Sequence, residues 1–296
     1  MRKRFALFFG CTIPVRLPQY ESAARAVLGH LGIMLVTLPE FGCCGYPLRN
    51  INQRAFVLSS ARNIALAEKH GVDLLTLCQC GYGTLRMADH LLKEDAALRK
   101  ETNTVLAKEG LRYQGGIEVT HLLRVLFHEV GLEKIRTHIR QPFDNLKVAP
   151  HYGCHALRPS RVMQFDHPVA PTLFDQLVET TGAKSVAWPL KLACCGGPLK
   201  GTDDTMALDF AENKLEDAAR AGAHCVATAC PYCQMQFDAV PGRMRFERGD
   251  SHPVPAVLFV QLLGLAMGID RQTLGVHLNR GDMATIESAI GTPAYA

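Results

Sequence analysis

The sequence contains no apolar run long enough to span a membrane and no basic stripe of the kind that binds nucleic acid. The longest apolar stretch, residues 254–269, falls about four residues short of a membrane span and includes Gln261. Lys and Arg cluster tightly only in the opening MRKR, and the net charge of +4 is otherwise spread thinly over 296 residues. We therefore expect neither a membrane span nor a nucleic-acid partner, and residues 254–269 predict a buried helix.

A secretory leader and a phosphate-binding glycine loop are also missing. The apolar segment behind MRKR, residues 5–10, is shorter than the roughly 7–15 residues that a signal peptide needs. "CCGGPLKGT" and "CGYGT" lack the G-x-x-x-x-G-K-[ST] spacing, and no G-x-G-x-x-G opens a helix. We therefore expect a cytoplasmic protein with no flavin or nucleotide of its own.

What the sequence does contain is an internal repeat. Each half runs strand, helix, strand, helix, strand with short links, which is the pattern of parallel α/β folds. An apolar closing helix is predicted in each half, at 119–126 and, in the same register, at 259–266. The expected strands are residues 4–10, 33–38, 72–77, 147–151, 185–189 and 224–229, and the other expected helices are residues 21–31, 53–69 and 205–221.

The repeat predicts two homologous Rossmann-like α/β domains, at residues 1–143 and 144–296. Each is expected to be a small parallel sheet flanked by helices, with a cysteine cluster at the edge where the strands end. The spacing agrees, because Cys43 and Cys194 are 151 residues apart and Cys78 and Cys230 are 152 apart. We therefore expect one group of thiols in each domain.

Eleven cysteines, an odd number, favour metal or redox chemistry over a disulfide framework in a chain without a secretory signal. A disulfide between neighbouring cysteines is disfavoured, since adjacent Cα atoms lie about 3.8 Å apart and a bridged pair needs at least about 4.4 Å. Structural zinc favours pairs separated by two to four residues and four ligands in total. Here each half offers five cysteines: Cys11, Cys43, Cys44, Cys78 and Cys80 in the first, and Cys154, Cys194, Cys195, Cys230 and Cys233 in the second.

Five thiols exceed the four that an ordinary cubane iron-sulfur cluster takes. The excess indicates an iron held unusually or a thiolate that bridges two irons. Glycines beside the thiols, namely Gly45, Gly81, Gly196 and Gly197, let the backbone approach such a centre and point amide N–H groups at its sulfides. The residues alone predict an uncommon multi-thiolate site in each half.

Six segments resemble the B subunit of heterodisulfide reductases, which is built from two cysteine-rich "CCG" domains. They are "FFGCTIP", "FGCCGYPL", "HYGCHALRP", "LACCGGPL", "CPYCQMQF" and "FVQLLGLAMG". The resemblance covers nearly the whole chain and implies that the five cysteines of each domain hold a noncubane 4Fe-4S cluster, two per chain, in which an iron can take a substrate sulfur. On that basis Cys194 and Cys195 are candidates for catalysis as well as ligands.

The resemblance also implies partners and a reaction. The expected partners are a ferredoxin-like C subunit and a flavin-bearing A subunit. The expected reaction is reduction or oxidation of a disulfide or of carrier-bound sulfur, the latter as in the related complexes of sulfur oxidisers. Two alternatives stay open: an electron-transfer subunit without substrate chemistry, as in glycolate-, lactate- or quinone-linked complexes, and a structural zinc protein.

The first domain departs from the family pattern. Its final thiol, Cys80, lies one residue earlier than its counterpart Cys233, and Gly81 takes the place of the cysteine. Cys80 is either a ligand reached through a tighter turn or a spectator that leaves four ligands. Cys225 lies outside both patterns and is expected to be a small buried residue.

Three histidines are candidates for other roles. His155 either donates a proton to a leaving thiolate or orients its loop, since imidazole titrates near neutrality. His151, near a strand end, is expected to be structural. His121 and its counterpart Gln261 are expected on buried helix faces, where a hydrogen-bonded core histidine is favoured over a catalytic one.

Overall fold

The chain folds, in this computed structural model, into two four-stranded parallel sheets. The structure describes residues 3–248 and 254–291. The strands are β1 (Arg4–Phe8), β2 (Met34–Val36), β3 (Asp73–Thr76), β4 (Val119–His121), β5 (Lys147–His151), β6 (Lys184–Ser185), β7 (Cys225–Thr228) and β8 (Ala256–Leu258). The first sheet has the order β2-β1-β3-β4 and the second β6-β5-β7-β8, and all neighbouring strands are parallel. The predicted fold class is confirmed.

Helices flank both sheets. The longer ones are α1 (Pro18–His30), α2 (Gln53–Lys69), α3 (Gln79–Glu94), α4 (Ala96–Leu106), α5 (Leu173–Glu179), α6 (Asp204–Arg220), α7 (Pro231–Arg248) and α8 (Phe259–Ala266). Shorter helical segments are Ile13–Arg16, Tyr46–Leu48, Ala107–Glu109, Leu122–Arg124, Val125–Val130, Leu132–Thr137, Cys154–Leu157, Ser160–Met163, Pro189–Leu192, Gly197–Leu199, Arg271–Leu274, Val276–Leu278 and Ala284–Ser288. The repeat predicted from the sequence is therefore visible in the order of the main elements.

The two helices that follow the vicinal cysteines begin in the same way. The Asn52 side chain accepts the Ala55 N–H at 3.0 Å at the start of α2. The Asp203 side chain accepts the Met206 N–H at 2.9 Å at the start of α6. Short polar residues at this position satisfy a backbone donor that the helix itself leaves unpaired, so both helices have a defined start.

The fourth strand of each sheet corrects the sequence-based expectation. Residues 119–126 and 254–269 were expected to be wholly helical, but β4 pairs with β3 and β8 pairs with β7 before the helices begin. A continuous apolar run has no period that separates a buried strand from a buried helix. The ladders pair Thr76 with His121 and Thr228 with Leu258, so the counterpart of His121 is Leu258 and not Gln261.

The two halves pack into one molecule with a continuous apolar core. α1 packs on α8, and α3 packs on the helical turns Cys154–Leu157 and Ser160–Met163. Across this contact the Tyr82 hydroxyl donates to the Met163 carbonyl at 2.6 Å, and Arg86 donates to the Val162 carbonyl at 2.8 Å. As a result the loops behind β3, β5 and β7, which carry cysteines, lie together.

The junction between the halves is tied to the second half. The Phe143 N–H donates to the Thr181 carbonyl, and the Asp144 N–H donates to the Ala289 carbonyl. A boundary between residues 143 and 144 stays a prediction.

Candidate metal centre

The cysteines of the first half surround one small cavity. Cys11 follows β1, the pair Cys43 and Cys44 follows β2, and Cys78 caps the start of α3, whose first turn contains Cys80. The cavity is about 20 Å³ in volume, and every one of these cysteines except Cys43 lines it. Interactions with Cys44 and Cys11 contribute to the lowered pKa of Cys43, so the five thiols lie near one another.

The cysteines of the second half form a chain of thiol contacts. Cys154 opens the helical turn behind β5, Cys194 and Cys195 lie in the loop behind β6, and Cys230 and Cys233 lie at the start of α7. Cys154 interacts with Cys194, Cys194 with Cys195, Cys195 with Cys233 and Cys233 with Cys230, and each interaction shifts the pKa of the thiols involved. The five candidate ligands of this half therefore lie in one continuous row.

Two buried groups within these rows are compact enough to bind a metal. One unites Cys78, Cys80 and Cys230, and the other unites His151, Cys195 and Cys233; in each group the ligand atoms lie within 4.8 Å of one another. The first group contains thiols from both halves. The packing of the halves therefore brings Cys230 against the loop behind β3, so the thiols of the two domains meet at this point.

Each of the four glycines predicted to line the site donates its backbone N–H to a cysteine sulfur. The bonds run from Gly45 to Cys43, from Gly81 to Cys78, from Gly196 to Cys194 and from Gly197 to Cys195, at 3.4, 3.3, 3.4 and 3.4 Å. Such bonds stabilise sulfur that carries negative charge. Their roles toward a bound cluster stay predictions.

Gly45 and Gly196 are required by the local geometry. Their φ angles are +88° and +76°, a region that side chains disfavour. A Cβ on Gly45 would lie 2.8 Å from the Phe56 carbonyl, and a Cβ on Gly196 would lie 2.8 Å from the Ala207 carbonyl. Phe56 and Ala207 both lie in the first turn of the following helix, so the two cysteine loops have the same shape.

One thiol in each vicinal pair is stabilised as a thiolate. Hydrogen bonding from Cys44 lowers the pKa of Cys43 to about 5. Hydrogen bonds from Cys154 and then Cys195 lower the pKa of Cys194 to about 2, while burial opposes the shift. Thiolates are the form that binds metal, so the loops favour the ligand form before any metal arrives.

The histidines divide into a structural residue and two that contact thiols. The His121 ring accepts the Leu123 N–H at Nδ1 and bonds the Ala229 carbonyl through Nε2, both at 3.2 Å, so it is hydrogen-bonded as predicted, although it ends β4 and does not lie on a helix. His155 Nδ1 lies 3.0 Å from the Cys80 sulfur. His151 Nε2 lies 3.3 Å from the Cys233 sulfur.

Two residues near the thiols were missed by sequence reasoning. Gln79, between Cys78 and Cys80, is 1% exposed, and neither polar atom of its side chain has a partner among the described residues. Lys214 is also 1% exposed, and burial lowers its pKa to about 8. A buried glutamine between two cysteines could have been flagged from the sequence, whereas Lys214 lies in an ordinary amphipathic helix.

An open cleft lies beside the thiols. Its volume is about 780 Å³, and both halves line it. The Tyr46 ring lies 5.2 Å from the His155 ring and 6.0 Å from the Tyr232 ring, measured between centroids. His155 therefore faces the cleft and also contacts Cys80. The cleft is lined by Arg16, Tyr46, Pro47, Arg49, Asn50, His155, Arg158, Gly197, Pro198, Lys200, Tyr232 and Met235.

The donor set fits an iron-sulfur cluster. The thiols converge, and backbone N–H groups point at their sulfur atoms. Two buried polar groups beside them, the Gln79 amide and His151 Nδ1, have no hydrogen-bond partner in the part of the chain that the structure describes. Buried polar atoms need hydrogen-bond partners, and inorganic sulfides are acceptors. A structural zinc site takes four ligands, so one zinc ion per row would leave at least one of its five cysteines without a metal.

Comparison with known proteins gives the same assignment. A family model described as a cysteine-rich domain, CCG, matches residues 5–86 and 148–238. The B subunit of a CoB-CoM heterodisulfide reductase from Methanosarcina acetivorans is 38% identical over 93% of this chain and 93% of its own. The 8-methylmenaquinol:fumarate reductase membrane anchor subunit of Wolinella succinogenes is 35% identical over 94% of this chain and 97% of its own.

A solved structure shares the fold. A hypothetical protein from Helicobacter pylori matches with a TM-score of 0.75 at 19% identity. The match covers 94% of this chain and 52% of that one, so this chain spans about half of the neighbour's length.

The fold and the thiol rows define a duplicated CCG protein, an iron-sulfur electron-transfer subunit. The chain belongs to the family of heterodisulfide reductase B subunits. Its relatives are named as subunits of oxidoreductases. Among the described residues, no helix has both the length and the hydropathy to cross a bilayer.

Proposed function

We propose that this chain is the subunit at which a disulfide or a carrier-bound sulfur compound exchanges electrons in a heterodisulfide reductase-like complex. The ten cysteines of the two rows hold two noncubane 4Fe-4S clusters, and a ferredoxin-like C subunit and a flavin-bearing A subunit relay the electrons. When bound, each cluster supplies one-electron transfer. Two clusters match the two electrons that cleavage of a disulfide requires.

The cleft beside the thiols is the observation that supports catalysis over simple electron transfer. A conduction path needs no cavity, whereas this cleft, about 780 Å³ in volume, is large enough for a small organic sulfur compound. Its wall includes Tyr46, His155 and Tyr232, each of which lies within two residues of a cysteine in the sequence. A sulfur compound in the cleft would therefore approach the thiol rows directly.

His155 is suited to move the proton that sulfur chemistry requires. Its Nδ1 shares a hydrogen bond with the Cys80 sulfur at 3.0 Å, and its ring faces the cleft. Burial lowers the pKa of His155 below its usual value, so the ring is neutral at neutral pH and first accepts a proton from solvent in the cleft, after which the imidazolium can donate that proton. We assign it protonation of the thiolate released from the substrate.

The charges around the cleft favour an anionic substrate. Arg16, Arg49 and Arg158 line it, and no carboxylate does so among the described residues. Guanidinium groups bind carboxylate, sulfonate and phosphate through paired hydrogen bonds. A thiol or disulfide with such a group would be attracted and oriented with its sulfur toward the loops.

The test is reduction of disulfides by the anaerobically purified, iron-containing protein with a reduced viologen dye as donor. An anionic disulfide should release thiol, and a neutral disulfide of equal length should react at least about tenfold more slowly at low salt. His155→Gln should lose most of its turnover while it keeps its iron. An iron-containing protein that releases no thiol from either disulfide would contradict the proposal.

A second function is favoured by the Wolinella succinogenes relative, which is named as a subunit of a fumarate reductase. In that case the chain only passes electrons between partners. It would then accept electrons from the dye and show reversible colour changes, yet release no thiol from a disulfide.

A further inference from the structure

A buried lysine lies beside the thiols of the second half. Lys214 in α6 is 1% exposed; its Nζ donates to the Leu190 carbonyl and lies 4.5 Å from the centre of the Trp188 ring. Trp188 packs in the same apolar group as Cys195 and Cys233. Charge interactions join the amine to both of these cysteines. The amine therefore lies within the electrostatic reach of the second centre.

Within the described residues, no carboxylate lies at ion-pair distance from this amine. The nearby Asp217 carboxylate instead accepts the Leu190 N–H at 2.8 Å and pairs with Arg220 at 3.8 Å. A buried cation is costly unless an opposite charge compensates it. The negative charges that act on Lys214 are those of the thiolates of the second centre and, with a smaller effect, that of Asp217.

The first half has a neutral residue at the equivalent position. α2 and α6 both have 17 residues, and Asn63 and Lys214 are each the eleventh residue of their helix. The Asn63 amide donates to the Cys43 carbonyl at 2.9 Å and accepts the Gly42 N–H at 2.9 Å. Both residues thus satisfy the backbone of a loop near the vicinal cysteines, but only Lys214 adds a positive charge.

We propose that Lys214 makes the second centre the better electron acceptor of the two. Reduction adds one negative charge to a cluster, and a nearby buried cation stabilises that charge more strongly than a neutral amide does. An electron shared between the centres would therefore reside mainly on the second. The inference rests on the iron-sulfur cofactors of the family and needs no assumption about the sulfur substrate.

The proposal is tested by a redox titration of the complete protein in the absence of substrate, in which paramagnetic resonance monitors the two centres. The signals are assigned with Cys195→Ala, which should lack the second centre. Lys214→Asn, which installs the residue of the first half, should make the equilibrium constant for reduction of the second centre about tenfold smaller. This corresponds to a reduction potential that is lower by about 59 mV for a one-electron couple. The reduction potential of the first centre should not change. Lys214→Arg, which keeps the charge, should retain the wild-type potential.

The reciprocal variant Asn63→Lys provides an independent arm, and it should raise the potential of the first centre only. Unchanged potentials in iron-containing Lys214→Asn would overturn the proposal. If Lys214→Asn loses iron, Lys214→Met, which keeps the side-chain length, takes its place. Loss of iron in both variants would show that Lys214 is needed for the structure of the site, and this result would also overturn the proposal. Because no substrate is present, none of these outcomes depends on the proposed sulfur chemistry.

Discussion

At the scale of single residues, we expect the vicinal cysteines to be metal ligands, and a substitution tests this directly. Cys195 is 4% exposed and interacts with both Cys194 and Cys233, so its loss breaks the row in the middle. Cys195→Ala should remove about half of the iron and abolish turnover, while the first centre keeps its metal. Iron analysis and paramagnetic resonance measure this, and retained activity would contradict the ligand assignment.

Cys80 is the residue whose role the sequence leaves open, and the structure gives it a buried place beside Cys78, Cys230 and His155. If it is a ligand, Cys80→Ala lowers the iron content or alters the paramagnetic signal of the first centre. Cys225→Ala is the matched control, because Cys225 is also buried but lies within β7. Equal spectra from both variants would make Cys80 a spectator.

Residues differ in how far the sequence could predict them. The ten cysteines stand out by spacing, and the hydrogen-bonded state of His121 follows from the rule that buried polar groups need partners. The contact between Cys230 and Cys78 could not be predicted, because it depends on how the two halves pack. The position of Lys214 beside the thiols could not be predicted for the same reason, since its neighbours come from distant parts of the chain.

At the scale of elements, the turn between the vicinal cysteines and the next helix is the most constrained. Gly196→Ala adds a methyl group 2.7 Å from Phe210 Cβ and 2.8 Å from the Ala207 carbonyl at a φ of +76°. We expect a loss of about 2–4 kcal/mol in the free energy of unfolding, which combines backbone strain with overpacking. Chemical denaturation followed by circular dichroism measures it.

The control for that substitution is Gly222→Ala. Its φ is +79°, but nothing lies within 4 Å of the added Cβ. The cost there should be backbone strain alone, about 1–2 kcal/mol. Equal losses at both glycines would mean that the close approach in the cysteine loop contributes nothing.

Elements were predictable where a periodic pattern or a cap defined them. The helix expected at residues 53–69 agrees with α2 at both ends. β4 and β8 were missed, because short apolar segments that run directly into apolar helices carry no turn residue at the junction. The strand identity of Val119–His121 comes from its pairing with β3, which is a tertiary fact.

At the scale of the whole molecule, a buried histidine joins the two halves and makes stability depend on pH. Burial lowers the pKa of His121 to about 4, below the unfolded value near 6.5. The unfolded state therefore takes up the proton first as the pH falls through 6.5, and stability declines from there toward pH 4.

From about pH 7.5 to about pH 5.5, His121 should account for a loss of about 1 kcal/mol. His121→Asn, which can still accept the Leu123 N–H at this helix start, should show a shallower pH dependence. Denaturant unfolding of both proteins at the two pH values measures the difference. Parallel pH profiles would show that His121 is not the group responsible.

The most direct test of the account is the measurement of iron and acid-labile sulfide in anaerobically purified protein, with paramagnetic resonance of the same sample. Two 4Fe-4S clusters predict about eight iron atoms and about eight sulfides per chain, with signals from both centres. A protein purified without oxygen that contains neither iron nor labile sulfide, or that contains zinc in their place, would contradict the account.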